Sequence, residues 1–296
     1  MTKITQLLTN NNPAIKEFLN KFDTFLFDCD GVIWHGSKPI NKVPETINWL
    51  KETMKKRCLF VTNNSTKSRE SYLDKFLGMG IHITKDELFS SSYLTAVYLK
   101  NVLSLPEDKK VFVIGMDGIK EELNLLNIEH FSLPDDHPVD DEALSKLGPN
   151  QDVGALVIGM DRNINFAKYA QGYQLLTQTP QIHFIATNDD STYPLNGTLY
   201  PGTGSVISPL INSTKRTPTV VGKPNLSALE SIKELYDLDL SRTCMVGDRL
   251  NTDIQFGLNG GLGTLLVMTG VTKEHELKES EIVPEYQIES VAHLLI

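Results

Sequence analysis

An α/β protein is predicted, a doubly wound parallel sheet interrupted in mid-chain by a second, smaller α/β unit. Three observations predict it. Short apolar runs that nothing polar interrupts, among them Thr24–Phe27 and residues 58–61, read as strands buried on both faces. They alternate with stretches whose apolar residues recur at helical spacing, as Val43, Ile47, Leu50 and Met54 do. The rhythm restarts near residue 105, and the pattern of the first third returns near 218, so an insertion splits the main unit in two.

Taken in order, Asn12-Pro13 offers a cap and a first helical residue. The strand 24–27 follows, then a helix over 44–55, a strand over 58–61 and helices around 72–77 and 92–100. In the insertion, strands are predicted at 111–115, 154–160 and 182–187, with helices at 119–126 and 166–176. Residues 134–150 are polar, acidic and proline-containing and read as a long loop, as do 188–204 before a helix at 205–211. A strand at 219–221, a helix at 226–236 and strands at 243–246 and 265–268 complete the main unit. The predicted division is 1–104 with 218–296 as the discontinuous core and 105–217 as the insertion.

Composition narrows the function. With 296 residues the chain can bury two cores. Its net charge of −9 is spread along the sequence without a basic stripe, so no nucleic-acid partner is expected. No run approaches the ~20 apolar residues of a membrane span, and no membrane partner is expected. The first residues lack a signal peptide's apolar core, and Cys29, Cys58 and Cys244 stand alone in apolar segments. Free thiols in a reducing compartment, the cytoplasm, are the expectation.

Parallel sheets bind ligands at the carboxyl ends of their strands. Four predicted strands end there in polar clusters: Asp28-Cys29-Asp30, Thr62-Asn63-Asn64, Gly222-Lys223-Pro224 and Gly247-Asp248-Arg249, with Asp253 shortly after. Asp28 and Asp30, two residues apart, leave the strand on one side, and Gly31 lets the backbone turn beside them. Two carboxylates so close repel unless a cation or shared proton separates them. Cys29 between them reads as a buried thiol, Trp34 as entrance or packing, and His35 as exposed.

In these four clusters the chain resembles the haloacid dehalogenase superfamily. Asp28-Cys29-Asp30-Gly31-Val32, Thr62-Asn63, Lys223 and Gly247-Asp248-Arg249-Leu250-Asn251-Thr252-Asp253 match its four motifs in order. The stretches 61–69 and 245–253 are similar to those of the eukaryotic 4-nitrophenylphosphatase, phosphoglycolate phosphatase and pyridoxal phosphatase group. The resemblance implies a Rossmann-like core with a large α/β cap and a Mg2+-dependent phosphatase acting on small phosphorylated metabolites. Substrates would be 4-nitrophenyl phosphate in vitro and acids resembling 2-phosphoglycolate. Phosphoproteins or pyridoxal phosphate remain alternative substrates, and a phosphomutase an alternative reaction. Asp30 counts against a dehalogenase.

The same resemblance implies roles. Asp28 would attack phosphorus to form an aspartyl phosphate, because a carboxylate can do so once charge is cancelled. Asp30 would act as acid and then base. Mg2+ would be held by Asp28, the main-chain oxygen of Asp30 and Asp248. Lys223 would add positive charge, Thr62 and Asn63 would donate to the transferring group, and Asp253 would hold Lys223 or a water on the metal. Tyr193-Pro194, in the polar loop of the insertion, would line the leaving group. Relatives imply a homodimer formed through the cap.

Overall fold

The strand Thr24–Phe27 alternates its side chains between two hydrophobic clusters. Phe25 and Phe27 join Phe60, Phe76 and Trp34 on one face, while Leu26 joins Leu59, Val61 and Met245 on the other. All are completely buried or nearly so, which is why the run carries no polar residue. The computed structural model describes residues 5–9, 12–195 and 198–296.

Around this strand lies a seven-stranded sheet, parallel throughout. Its order is Gln6–Leu7, Tyr286–Ile288, Gly263–Val267, Thr243–Gly247, Thr24–Phe27, Arg57–Thr62 and Leu88–Ser90. Chain order runs outward from Thr24–Phe27 in one direction and from Thr243–Gly247 to Tyr286–Ile288 in the other, where Gln6–Leu7 is added at the edge. The carboxyl ends of Thr24–Phe27 and Thr243–Gly247 therefore flank the switch point at which such sheets bind ligands.

A second sheet has five parallel strands, in the order Thr219–Val220, His183–Ala186, Val153–Ile158, Lys110–Ile114 and His130–Phe131. The helices Phe166–Gln178 and Thr203–Thr214 close its outer face over Phe112, Leu156, Leu175 and Leu210. On its inner face, Val111, Val113, Val157, Ile119 and Leu123 share one apolar cluster with Leu26, Leu59 and Val61 of the larger sheet. The helix Asp117–Leu125 packs on Ser91–Val97 to make this join. Gly118 permits it, since a Cβ there would stand 2.3 Å from the carbonyl carbon of Lys67. Nearby, Arg69 donates its main-chain N–H at 2.6 Å to the fully buried carboxylate of Glu122 and lays its guanidinium 3.4 Å over the Tyr93 ring.

Three expectations are corrected. Thr219–Val220 pairs with Ile185 and Ala186, so it belongs to the smaller sheet and the chain returns to the larger one after 220, not at 218. Two residues are too few for periodicity to say which sheet they join. The expected loop 134–150 contains the short helix Asp141–Ser145, capped by Asp140, which accepts from Ala143 N at 2.9 Å. The expected loop 188–204 contains an antiparallel hairpin, Thr192–Leu195 with Thr198–Pro201; residues 196 and 197 lie outside the described set. Pairing across the hairpin, with Tyr193 facing Tyr200, supplies the order that polar composition concealed.

Candidate active site

Asp28, Asp30, Thr62, Asn63, Lys223, Asp248, Asp253, Tyr193 and Pro194 all line one pocket between the two sheets. At its floor lies the Lys223 ammonium, 1% exposed. It donates at 2.7 Å to Asp28 Oδ1, to Asp253 Oδ1 and to the main-chain oxygen of Val61. All three ammonium protons are thus placed. Burial pulls Lys223 down, but Asp253 and Asp28 outweigh it and hold the lysine charged, above its ordinary value.

Asp253 is saturated. Its Oδ1 takes Lys223, and its Oδ2 accepts the main-chain N–H groups of Asp248 and Arg249, each at 3.1 Å. It positions the others and has little left to offer a ligand. Gly247 allows the turn, because a Cβ there would fall 2.1 Å from that of Asp253. Asp28 and Asp248 each keep one oxygen without a protein partner, as Asp248 Oδ2 accepts from Val271 N at 2.7 Å and Asp28 Oδ1 from Lys223. Gly31, at φ +88°, is required twice over: a side chain there would be strained and would put its Cβ 2.5 Å from Asp248 Oδ2.

Charge in this floor does not balance. Oxygens of Asp28, Asp248 and Asp253 all come within 4.8 Å of one another, against one buried lysine. Burial, then the neighbouring carboxylates, push Asp28 well above the usual carboxylate range against the pull of Lys223. Burial and Asp253 push Asp248 up to about 7. A hard divalent cation between the free oxygens of Asp28 and Asp248 would relieve both, and an all-oxygen donor set suits Mg2+.

Asp30 sits across the mouth from this cluster. Trp34 Nε1 donates to its Oδ1 at 2.9 Å and Asn64 Nδ2 approaches Oδ2 at 3.5 Å. Trp34 is fully buried, with the Phe76 ring edge-on at 4.9 Å, so a packing residue also aims a carboxylate. Cys29 is a buried thiol raised by burial and the adjacent acids, and His35 is exposed. Thr62 Oγ1 accepts from Asn64 N at 3.1 Å.

The Asn63 side chain holds the lysine loop. Its Oδ1 accepts from Lys223 N at 2.8 Å and its Nδ2 donates to Lys223 O at 2.9 Å, with Asp190 at 3.3 Å. An amide has just the donor–acceptor pair that a main-chain peptide matches, so any donation from Asn63 to a transferring group would fall to its main-chain N–H.

From the loops after two strands of the smaller sheet come Met160, Arg162, Asn188 and Asp190, and from the hairpin Tyr193 and Pro194. Across the cleft, Arg249 Nη2 donates to the main-chain oxygen of Thr192 at 2.7 Å. Arg162, the hydrogen bond from Trp34 to Asp30 and the reach of Arg249 to Thr192 were not foreseen, whereas Asp190 falls in the polar loop 187–195 expected to face the leaving group. One signal was available: Arg162 and Asp190 follow strands of a parallel sheet, where the carboxyl-end rule applies as it does to the larger one.

A buried aspartate paired to a lysine, with a second aspartate two residues on, brings the polar strand ends of the larger sheet into one pocket. The chain belongs to the haloacid dehalogenase-like hydrolases: the model described as haloacid dehalogenase-like hydrolase matches residues 25–129, and the related HAD-hydrolase-like model matches 220–294. It is 47% identical over 285 residues to the 4-nitrophenylphosphatase of Schizosaccharomyces pombe, covering 94% of this chain and 95% of that one. With phosphoglycolate phosphatase 2 of Arabidopsis thaliana it shares 42% over 296 residues, covering 98% and 97%. Its fold matches the p-nitrophenyl phosphatase from Archaeoglobus fulgidus with a TM-score of 0.78 at 31% identity, covering 93% and 98%. Within the family it is a phosphoric monoester hydrolase.

Proposed function

We propose that the chain is a Mg2+-dependent phosphatase of small phosphomonoesters that works through an aspartyl phosphate on Asp28. The single observation that carries this is Lys223 joined to both Asp28 and Asp253 at 2.7 Å. That contact holds the Asp28 carboxylate in the pocket floor, oriented for in-line attack on phosphorus. Mg2+, held by Asp28, Asp248 and the main-chain oxygen of Asp30, would cancel the charge that keeps a carboxylate from a phosphate dianion. Asp30 protonates the leaving oxygen as the ester bond breaks, then takes a proton from the water that hydrolyses the acyl phosphate. Thr62 and Lys223 bind the transferring oxygens, and Asn63 keeps Lys223 in place.

The substrates would be small phosphorylated acids, with residues 105–220 closing over them as a cap and pyridoxal phosphate or a phosphoprotein as the alternative reading; the pocket is lined from both sheets. Phosphate release from 4-nitrophenyl phosphate with and without Mg2+ tests the reading. Absence of release with the metal present would sink it, as would failure to trap label on Asp28 in acid-quenched turnover.

Pairing of two chains through the cap is part of the proposal. Phe166 and Tyr173, seven residues apart on one helix face, are 63% and 40% exposed and could supply the contact. Sedimentation at micromolar concentration decides it. The three cysteines are buried free thiols, which supports residence in a reducing compartment such as the cytoplasm. No helix among the described residues is long and apolar enough to cross a membrane.

A further inference from the structure

Three cationic side chains line the pocket: Lys223, Arg249 and Arg162. Two are occupied. Lys223 is committed to Asp28, Asp253 and Val61, and Arg249 to the Thr192 main chain. Arg162 stands on the loop after Val153–Ile158 and lines the same pocket as the acidic floor. Its guanidinium lies 5.5 Å from the Tyr193 ring centroid and has no hydrogen bond or ion pair among the described residues. The acid next to it in sequence, Asp161, is taken by the Lys168 ammonium at 2.8 Å. Asp190 is held by Asn63.

A phosphoryl group at Asp28 would leave the remainder of its ester in the pocket that Arg162, Tyr193 and Pro194 also line. A planar fork of N–H donors matches a carboxylate through two parallel hydrogen bonds, which neither a hydroxyl nor an aromatic ring can accept in that way. We propose that Arg162 is the specificity-determining residue of this site, receiving a leaving-group carboxylate, so that small phosphorylated acids are preferred over neutral phosphates of equal size. The proposal rests on the phosphatase reading above and names the substrate class of that site.

The test compares kcat/KM of the full chain with Mg2+ on 2-phosphoglycolate, glycerol 3-phosphate and 4-nitrophenyl phosphate, for the wild type, Arg162→Gln and Arg162→Lys. Arg162 is exposed, so neither variant removes a buried contact. For Arg162→Gln, the ratio of phosphoglycolate to glycerol phosphate kcat/KM is expected to fall ~30-fold or more, chiefly through KM for the acid. Arg162→Lys restores part of the ratio, because it keeps the charge without the fork. A ratio changed by less than about threefold overturns the assignment, as do equal losses on all three substrates. A wild-type enzyme that releases phosphate from none of them overturns the phosphatase reading instead.

Discussion

Trp34 donates its indole N–H to Asp30 Oδ1 at 2.9 Å, from a position with no exposure to solvent. The bond joins a core aromatic to the residue assigned the proton transfers, so packing and chemistry share one side chain. Trp34→Phe keeps a ring beside Phe76 and deletes the donor. The expected result is a kcat lowered about tenfold on alkyl phosphates, or ~1.4 kcal/mol, and much less on 4-nitrophenyl phosphate, whose leaving group needs no proton. Steady-state rates on the two substrate types check it, and equal losses would assign Trp34 to packing alone.

Asp28 gives opposite effects on activity and stability. Burial holds its carboxyl well above the usual range, so its charge weakens the metal-free fold. Asp28→Asn should cut kcat by about a thousandfold or more, ~4 kcal/mol of barrier, while raising the melting temperature without metal. Retention of more than about a tenth of the rate would contradict a covalent mechanism.

Lys223→Met removes the ammonium and strands Asp28 and Asp253 in the floor. Loss of one partner of a buried ion pair costs about 3–5 kcal/mol, and chemical denaturation should register it. Added Mg2+ should not restore the rate, whereas Asp248→Ala should demand more Mg2+ for the same rate. Equal rescue of both by metal would reverse these roles.

A dependence on pH follows from Asp248, pushed up to about 7 against an ordinary 3.8. Below about 4 its carboxyl is protonated in folded and unfolded chains alike and the fold keeps that stability. As pH rises toward 7 the unfolded chain ionises first, so the metal-free protein loses stability across this window, on the order of 4 kcal/mol at most. Mg2+ binds the ionised form and should therefore raise the melting temperature more at pH 7.5 than at pH 5. Thermal unfolding with chelator and with Mg2+ measures both trends, and Asp248→Asn should flatten the first.

Arg249 spans the cleft to the Thr192 main chain at 2.7 Å. Arg249→Ala should loosen closure of the smaller sheet over the pocket and raise KM about three- to tenfold, within 1.4 kcal/mol, with kcat less affected. Substrate-saturation curves check this, and an unchanged KM would mean that closure depends on the shared apolar cluster.

By itself the sequence determined the parallel sheet, its interruption and the acidic floor. Those features are local: an unbroken apolar run, two aspartates at a spacing of two, a lysine after a turn, each legible without knowing its neighbours. Tyr193 and Pro194 line the pocket, but the hairpin that carries them was hidden in a polar run. Only the tertiary structure decided that Thr219–Val220 joins the smaller sheet, that the Asn63 amide clamps Lys223, and that Arg162 and Asp190 enter the pocket. An amide or a guanidinium carries no periodic signature, and its partner is chosen by which strand end the fold brings opposite, over separations of 127 and 160 residues for Asn63.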